Sequence, residues 1–199
     1  MSVSRRGRSL FERAAVPLVR VFARLRVSPN ALTAAGVALT MFSLLFYRLT
    51  VVDRFYFLPA GFALTAAALL DGLDGSLARL TGKESKLGAF VDSMSDRISD
   101  ALIVVGFMLT GYVDGFLAVA MLASSMLVSY ARARGESLNV SLKEVGLGER
   151  AVRVIAAILG TFLGYVNPAA VYVSAVFISV VSSITVGQRV WATASVLRG

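Results

Sequence analysis

Long runs of apolar residues, separated by short polar turns, fill the chain from residue 29 to about residue 190. Each run is close to the length of about 20 residues that an α-helix needs to cross a bilayer. The turns between the runs contain glycine, proline or charged residues, which typically interrupt helices. The pattern predicts an all-α, polytopic integral membrane protein with six transmembrane helices, at approximately residues 29–51, 55–80, 87–111, 116–135, 149–164 and 169–188.

A different pattern precedes the first run. Residues 1–8 form a basic, polar tail, and residues 9–26 place an apolar face and a basic face at helical spacing. The apolar face contains Phe11, Ala14, Ala15, Leu18, Phe22 and Leu25, and the basic face contains Arg13, Arg20 and Arg24. An amphipathic helix of this kind lies in the membrane interface. Ser28 followed by Pro29 then signals the start of the first spanning helix.

Composition supports a single membrane domain over residues 1–199, with the bundle at 29–190. The chain is 57% hydrophobic and only 16% charged, whereas soluble domains carry about 25% charged residues. It contains no cysteine and no histidine, which excludes disulfides, thiolate nucleophiles, imidazole bases and Cys/His zinc sites. Any metal must therefore be held by oxygen atoms, which favours Mg²⁺, Mn²⁺ or Ca²⁺.

The net charge of +8 is interpreted as attraction to anionic lipid and not to nucleic acid, because arginines crowd the N-terminal arm. With the N-terminus inside and six spans, one side collects all of the 20 Lys and Arg residues except Arg48 and Arg54. The positive-inside rule makes that side cytoplasmic. The turn at 81–86 then also lies at the cytoplasmic face of the cell membrane.

Four aspartates lie inside apolar sequence on either side of this turn. Charge at membrane depth is costly, so such residues indicate a functional site. If the second and third helices are antiparallel neighbours, Asp74 lies level with Asp92, and Asp71 lies level with Asp96. Spacings of three and four residues place each pair on one face of its helix. We therefore expect the four carboxylates to converge.

Small residues accompany these acids. Gly75, Ala78 and Gly88 leave room for a bulky ligand to approach the backbone, and Arg79 can pair with a phosphate oxygen. Two divalent cations held by the aspartates could bind a pyrophosphate and polarise its phosphorus for displacement. The alternative is a buried ion network in which the acids pair with Arg79 and Arg97.

The arrangement of these residues resembles the motif of the CDP-alcohol phosphotransferases, D-x2-D-G-x2-A-R-x8-G-x3-D-x3-D. Its fixed positions are Asp71, Asp74, Gly75, Ala78, Arg79, Gly88, Asp92 and Asp96. The resemblance implies an enzyme that displaces CMP from a CDP-linked lipid with an alcohol, using Mg²⁺ or Mn²⁺, with two ions expected. It implies metal ligation by all four aspartates, with Asp96 also the base for the acceptor hydroxyl. It implies a nucleotide site at Gly75, Ala78, Arg79 and Gly88.

A second polar region lies where the fourth helix ends and the fifth begins. Arg132 and Arg134 end one helix, and Arg150 and Arg153 begin the next, so both pairs could reach one phosphate. The segments around them resemble the branch of the family that uses inositol phosphate as acceptor, although an arginine replaces the usual lysine at position 132. Asp100 is interpreted mainly as an ion-pair partner for a nearby arginine.

Several alternatives remain open on the sequence. Within the family, the acceptor could be glycerol phosphate, or the chain could make di-inositol phosphate from CDP-inositol. In a different class, six helices with buried acids could form a cation transporter, but transport predicts a polar path across the whole bilayer. The donor lipid could carry diacylglycerol or archaeol. Apolar surface on the third, fourth and sixth helices, together with the resemblance, suggests a homodimer.

Overall fold

The structure is a computed structural model that describes residues 15–143 and 145–198. Every regular element in that part of the chain is a helix. The predicted basic tail at 1–8 and the first part of the predicted amphipathic helix lie outside the described residues. The described part of this helix, which we call α1, covers residues 15–24.

Each of the six long apolar runs forms a helix, as predicted. A 3₁₀ turn at Arg54–Tyr56 precedes the second of them. The helices are α2 (Pro29–Leu49), α3 (Phe57–Thr81), α4 (Lys86–Leu109), α5 (Gly115–Ser137), α6 (Arg150–Val166) and α7 (Ala169–Arg198). The predicted end of the last helix at 188 is wrong, because α7 continues to Arg198. No glycine or proline interrupts residues 188–198, and Arg189, the first residue after the predicted end, is buried within the protein.

Local capping explains where several helices begin and end. The Ser28 hydroxyl accepts a hydrogen bond from the Ala31 N–H at 3.2 Å, and the Ser85 hydroxyl accepts one from the Gly88 N–H at 2.9 Å. Each bond satisfies one of the free N–H groups in a first turn. Gly82 ends α3 in the left-handed region, with φ 65°, a conformation that glycine adopts without a Cβ clash. These signals confirm the short turn between α3 and α4.

Among the described residues, four segments are long and apolar enough to cross a membrane: Pro29–Leu49, Arg54–Thr81, Gly115–Ser137 and Ala169–Arg198. The helix α6 has only 17 residues, and α4 carries Asp92, Asp96, Arg97 and Asp100. Because several of its helices are long and apolar enough to span a bilayer, the chain is a multi-pass membrane protein.

The six long helices pack as a closed ring. Around it, α2 contacts α3, α3 contacts α6, α6 contacts α7, α7 contacts α5, α5 contacts α4, and α4 returns to α2. The main buried cluster includes Tyr47, Phe57 and Phe107. A second cluster joins α1 to α2 and α3 through Ala15, Leu32 and their neighbours. The helix α1 therefore packs beside the start of α2.

The loop between α5 and α6 is held firmly against α7. The Gly148 N–H donates to the Thr185 hydroxyl at 2.7 Å, and Arg189 Nε donates to the Val145 carbonyl at 2.9 Å. Leu142 is fully buried. These contacts fix the position of the first turn of α6, which carries two of the predicted site arginines.

Candidate active site

Asp71 on α3 and Asp92 and Asp96 on α4 form a compact acidic cluster. One carboxylate oxygen from each lies within 4.8 Å of the others. Asp74, one turn along α3 from Asp71, is held separately. Its two oxygens accept hydrogen bonds from the Thr33 hydroxyl and the Gly75 N–H. The structure thus brings the two helices' acids to one place and fixes the Asp74 carboxylate beside them.

Arg150, in the first turn of α6, bridges the acids of α3 and α4. Its Nη1 atom lies 2.6 Å from Asp71 Oδ2 and 2.8 Å from Asp96 Oδ1. One nitrogen therefore contacts oxygens from both α3 and α4, as expected if Asp71 and Asp96 are level. Arg97 adds a longer contact, 3.3 Å from Nη1 to Asp96 Oδ2. The ion network considered from sequence thus exists in part, but its central cation is Arg150.

Arg153, one turn further along α6, forms a buried ion pair with Asp100. The two side chains are only 4% and 7% exposed, and Nη2 lies 2.8 Å from Asp100 Oδ2. Arg153 Nη1 donates to the Gly148 carbonyl at 2.9 Å. Asp100 therefore has the ion-pair partner expected for it, and Arg150 Nε also lies 3.5 Å from its other oxygen.

An open cleft of about 180 Å³ adjoins the acidic cluster between the start of α2, the end of α3 and the start of α4. Its lining includes all four residues that the motif implied for the nucleotide, together with two of the aspartates. These residues are Gly75, Ala78, Arg79, Gly88, Asp74 and Asp92. A Cβ added at Gly75 would meet only Arg79 Nη1, at 3.6 Å. The small residues therefore form a wall on which an extended ligand can lie close to the backbone.

The two arginines at the end of α5 have local partners. Arg132 Nε lies 2.9 Å from Glu136 Oε1, and Arg134 Nη1 donates to the Ser137 hydroxyl at 3.4 Å. Of the four arginines proposed for the acceptor, Arg150 and Arg153 thus reach the aspartates directly. Arg132 and Arg134 lie at the exposed end of α5.

Three residues that support the site were not identified from sequence. Thr33 donates to Asp74, Asn30 lines the cleft, and Arg189 anchors the loop before α6. Asn30 and Thr33 follow Pro29 in the first turns of α2, and Arg189 interrupts an apolar helix. An unexplained polar residue in a membrane helix was the available signal in each case.

The donor atoms of the acidic cluster suit a hard divalent cation. Carboxylate oxygens are the ligands that Mg²⁺ and Mn²⁺ prefer. Asp96 Oδ1 is buried and accepts no hydrogen bond from any residue that the structure describes. Asp71, Asp92 and Asp96 each bring one carboxylate oxygen within 4.8 Å of the others, and Asp74 lies one turn away from Asp71 on α3. The close approach of three carboxylates and the unused hydrogen-bonding capacity of Asp96 Oδ1 both fit metal binding.

Comparisons with known proteins agree with this site. The sequence profile of CDP-alcohol phosphatidyltransferases matches residues 26–196. The archaetidylinositol phosphate synthase of Aeropyrum pernix is 37% identical over an alignment of 203 positions that covers 100% of each chain.

Similar folds are found among solved structures. The crystal structure of Mycobacterium tuberculosis phosphatidylinositol phosphate synthase with CDP-DAG bound is 25% identical, with a TM-score of 0.78 over 91% of this chain and 94% of that chain. A second structure of that enzyme, in complex with manganese and citrate, is 24% identical, with a TM-score of 0.76 over 89% and 87% of the two chains. Because the profile covers nearly the whole chain and a full-length relative shares over a third of its residues, this protein belongs to the CDP-alcohol phosphatidyltransferase family.

Proposed function

We propose that this enzyme transfers a phosphatidyl-type group from a CDP-linked lipid to inositol phosphate and releases CMP. The observation that carries the proposal is the junction of the cleft and the acidic cluster, with Arg150 and Arg153 on the other side of that cluster. A nucleotide donor and an anionic acceptor could therefore meet at the aspartates. The similarity to the Aeropyrum pernix synthase supports inositol phosphate as the acceptor.

The donor would bind through its CDP moiety in the cleft. The face formed by Gly75 and Ala78 gives the diphosphate close access to α3, and the Arg79 guanidinium would pair with a phosphate oxygen. Gly88 provides space on α4 opposite them. In this orientation the β-phosphorus, which bears the lipid, would face the acidic cluster.

The metal site would consist of Asp71, Asp74, Asp92 and Asp96, holding two ions of Mg²⁺ or Mn²⁺. Such ions, when bound, neutralise charge on the pyrophosphate and make its phosphorus more electrophilic. The protein's contribution is to hold the ligands in position. The Thr33 hydroxyl fixes the Asp74 carboxylate through a hydrogen bond, an arrangement that orients ligands in many metal sites.

The acceptor phosphate would bind among the arginines at positions 132, 134, 150 and 153. Guanidinium groups suit this role because their forked donors match phosphate oxygens. Arg153, buried against Asp100 and the Gly148 carbonyl, would contribute its charge and not a direct contact. A ring hydroxyl would give its proton to Asp96 and form a bond to the β-phosphorus. The bond from that phosphorus to the oxygen of CMP would break, so CMP leaves with the electron pair.

We also propose the membrane arrangement. The six long helices all cross the bilayer, with α4 and α6 contributing polar ends at the site. The N-terminus and the active site then face the cytoplasm, as the distribution of Lys and Arg indicates. We propose a single domain over residues 1–199 that forms a homodimer.

An acceptor panel tests the proposed function. The purified enzyme, supplied with a CDP-lipid, should release CMP faster with inositol phosphate than with glycerol phosphate, serine or uncharged inositol. A preference for glycerol phosphate would show that the proposed acceptor is wrong but that the enzyme still catalyses the family's transfer reaction. Product formation from CDP-inositol and inositol phosphate, without a CDP-lipid, would instead favour di-inositol phosphate synthesis.

Gly75→Leu should block the donor without unfolding the protein. A side-chain carbon at this position would have only Arg79 Nη1 close to it, at 3.6 Å, so a leucine would extend into the cleft. We expect the KM for the CDP-lipid to rise at least about tenfold, equivalent to about 1.4 kcal/mol. Gly187→Leu is the matched control, because Gly187 is a helical glycine with open space around it. Normal donor binding by Gly75→Leu would show that the nucleotide lies elsewhere.

Arg134→Gln should weaken binding of the acceptor and leave the donor unaffected. Hydrogen bonds to charged groups contribute about 1.5–3 kcal/mol, so the KM for inositol phosphate should rise at least about tenfold. Arg134 suits this test because it does not contact the proposed metal ligands. Arg54→Gln, in the turn before α3, is the control. If the KM values for donor and acceptor rose equally, Arg134 would serve the fold or the lipid surface.

A further inference from the structure

Arg150 occupies the space between two of the proposed metal ligands. Its Nη1 atom lies 2.6 Å from Asp71 Oδ2 and 2.8 Å from Asp96 Oδ1. A divalent ion binds carboxylate oxygens at about 2.0–2.6 Å. An ion that bound these same two oxygens would therefore need the volume that Nη1 fills. Arg150 and such an ion cannot both contact the pair.

The groups that form the ion pairs of Arg150 lack some of their hydrogen bonds, which makes replacement of the guanidinium by a metal ion feasible. Nη1 donates a hydrogen bond to Asp71. Asp96 Oδ1 and Arg150 Nε, both buried, have no hydrogen-bond partner among the described residues despite their close ionic neighbours. A buried donor or acceptor without a partner is costly. The contact between Arg150 and Asp96 is thus held by charge, and a better cation can replace it.

We propose that Arg150 acts as an internal cation that holds the ligand pair in the metal-free enzyme and is displaced when the divalent metal binds. This inference rests on the proposed function. Displacement would leave the guanidinium beside Asp100, which Nε already approaches at 3.5 Å, and at the N-terminal end of α6. That end carries partial positive charge and favours anions. Metal binding would therefore free an arginine for the acceptor phosphate. The metal would then bind before the acceptor does.

The other arginines that contact the aspartates do not lie between Asp71 and Asp96, so metal binding would not displace them. Arg153 donates to Asp100 and to the Gly148 carbonyl, contacts that hold it behind Arg150. Arg97 approaches only the other oxygen of Asp96, at 3.3 Å, and its side chain is 32% exposed. Removing Arg97 takes one positive charge from the site but opens no space between Asp71 and Asp96. Arg97→Gln is therefore a matched control for charge alone.

Manganese binding to the full-length, EDTA-stripped protein in detergent tests the exchange. Free Mn²⁺ would be followed by electron paramagnetic resonance for wild type, Arg150→Gln and Arg97→Gln. We expect Arg150→Gln to bind Mn²⁺ about tenfold more tightly than wild type, a typical size for coupling between two ligands. Arg97→Gln should show a clearly smaller change. An equal change in both variants, or weaker binding by Arg150→Gln, would overturn the proposal.

A second measurement uses the wild-type protein and does not depend on a variant that folds. Phenylglyoxal modifies accessible arginines, and mass spectrometry locates the modified residue. We expect Mn²⁺ to increase modification of Arg150 and leave buried Arg153 unchanged, and inorganic phosphate to reverse the increase. Unchanged or reduced modification of Arg150 with Mn²⁺ bound would overturn the exchange and leave the metal site intact. Absence of Mn²⁺ binding in wild type would overturn the proposed metal site as well.

Discussion

Asp96→Asn should reduce kcat for CMP release by at least about 100-fold, a loss typical of removing a general base. The side chain keeps its size, but it can no longer take the proton from the acceptor hydroxyl, and it becomes a weaker ligand for a cation. Asp96 is well placed for both roles, because one of its oxygens lies within 4.8 Å of oxygens from Asp71 and Asp92. The assay is CMP release under saturating donor and acceptor.

The control for this substitution is Asp114→Asn. Asp114 caps α5 by accepting a hydrogen bond from the Leu117 N–H at 2.8 Å, and asparagine caps helices about as well. The Asp114→Asn variant should therefore leave kcat unchanged.

Removal of divalent metal with EDTA should abolish activity of the wild type, and Mg²⁺ or Mn²⁺ should restore it. Full turnover after chelation would contradict the metal role of the aspartates, and normal turnover by Asp96→Asn would contradict its role as base.

Arg153→Met should destabilise the protein by about 3–5 kcal/mol, because the buried Asp100 carboxylate loses its close partner and keeps only the 3.5 Å contact with Arg150 Nε. Arg153 and Asp100 are almost completely buried, and their contact is 2.8 Å. The loss should appear as a lower free energy of unfolding in detergent. Changing both partners, as Arg153→Met with Asp100→Leu, should recover much of the stability, since no unpaired charge remains.

Arg132→Met is the matched control for the stability measurement. Arg132 pairs with Glu136 at 2.9 Å, but both side chains are exposed, and exposed pairs contribute about 0–1 kcal/mol. A similar loss for the two arginine variants would show that the Arg153–Asp100 pair has no special role in the fold. A double variant no more stable than Arg153→Met would assign the loss to packing or to the contact with the Gly148 carbonyl.

Much of the secondary structure could be predicted because its causes are local. The apolar runs predict the helices. Ser28 and Pro29 predict the start of α2, where the Ser28 hydroxyl accepts a hydrogen bond from the Ala31 N–H. The levels of Asp71 and Asp96 follow from helix geometry and the short turn between α3 and α4, and one nitrogen of Arg150 contacts both. The predicted end of α7 at residue 188 was wrong because the next residue, Arg189, stays inside the protein, where it donates to the carbonyls of Val128 and Val145.

The sequence by itself determined the helices, the spacing of the aspartates along them and the family resemblance, because these depend on residues close together in the chain. Only the tertiary structure decided which cation contacts the acids. Arg150 is 79 residues from Asp71, and their contact depends on the closure of the helix ring and on the loop held against α7. Thr33 reaches Asp74 across 41 residues for the same reason. Such contacts follow from how helices pack, which hydrophobic patterning along each helix leaves open.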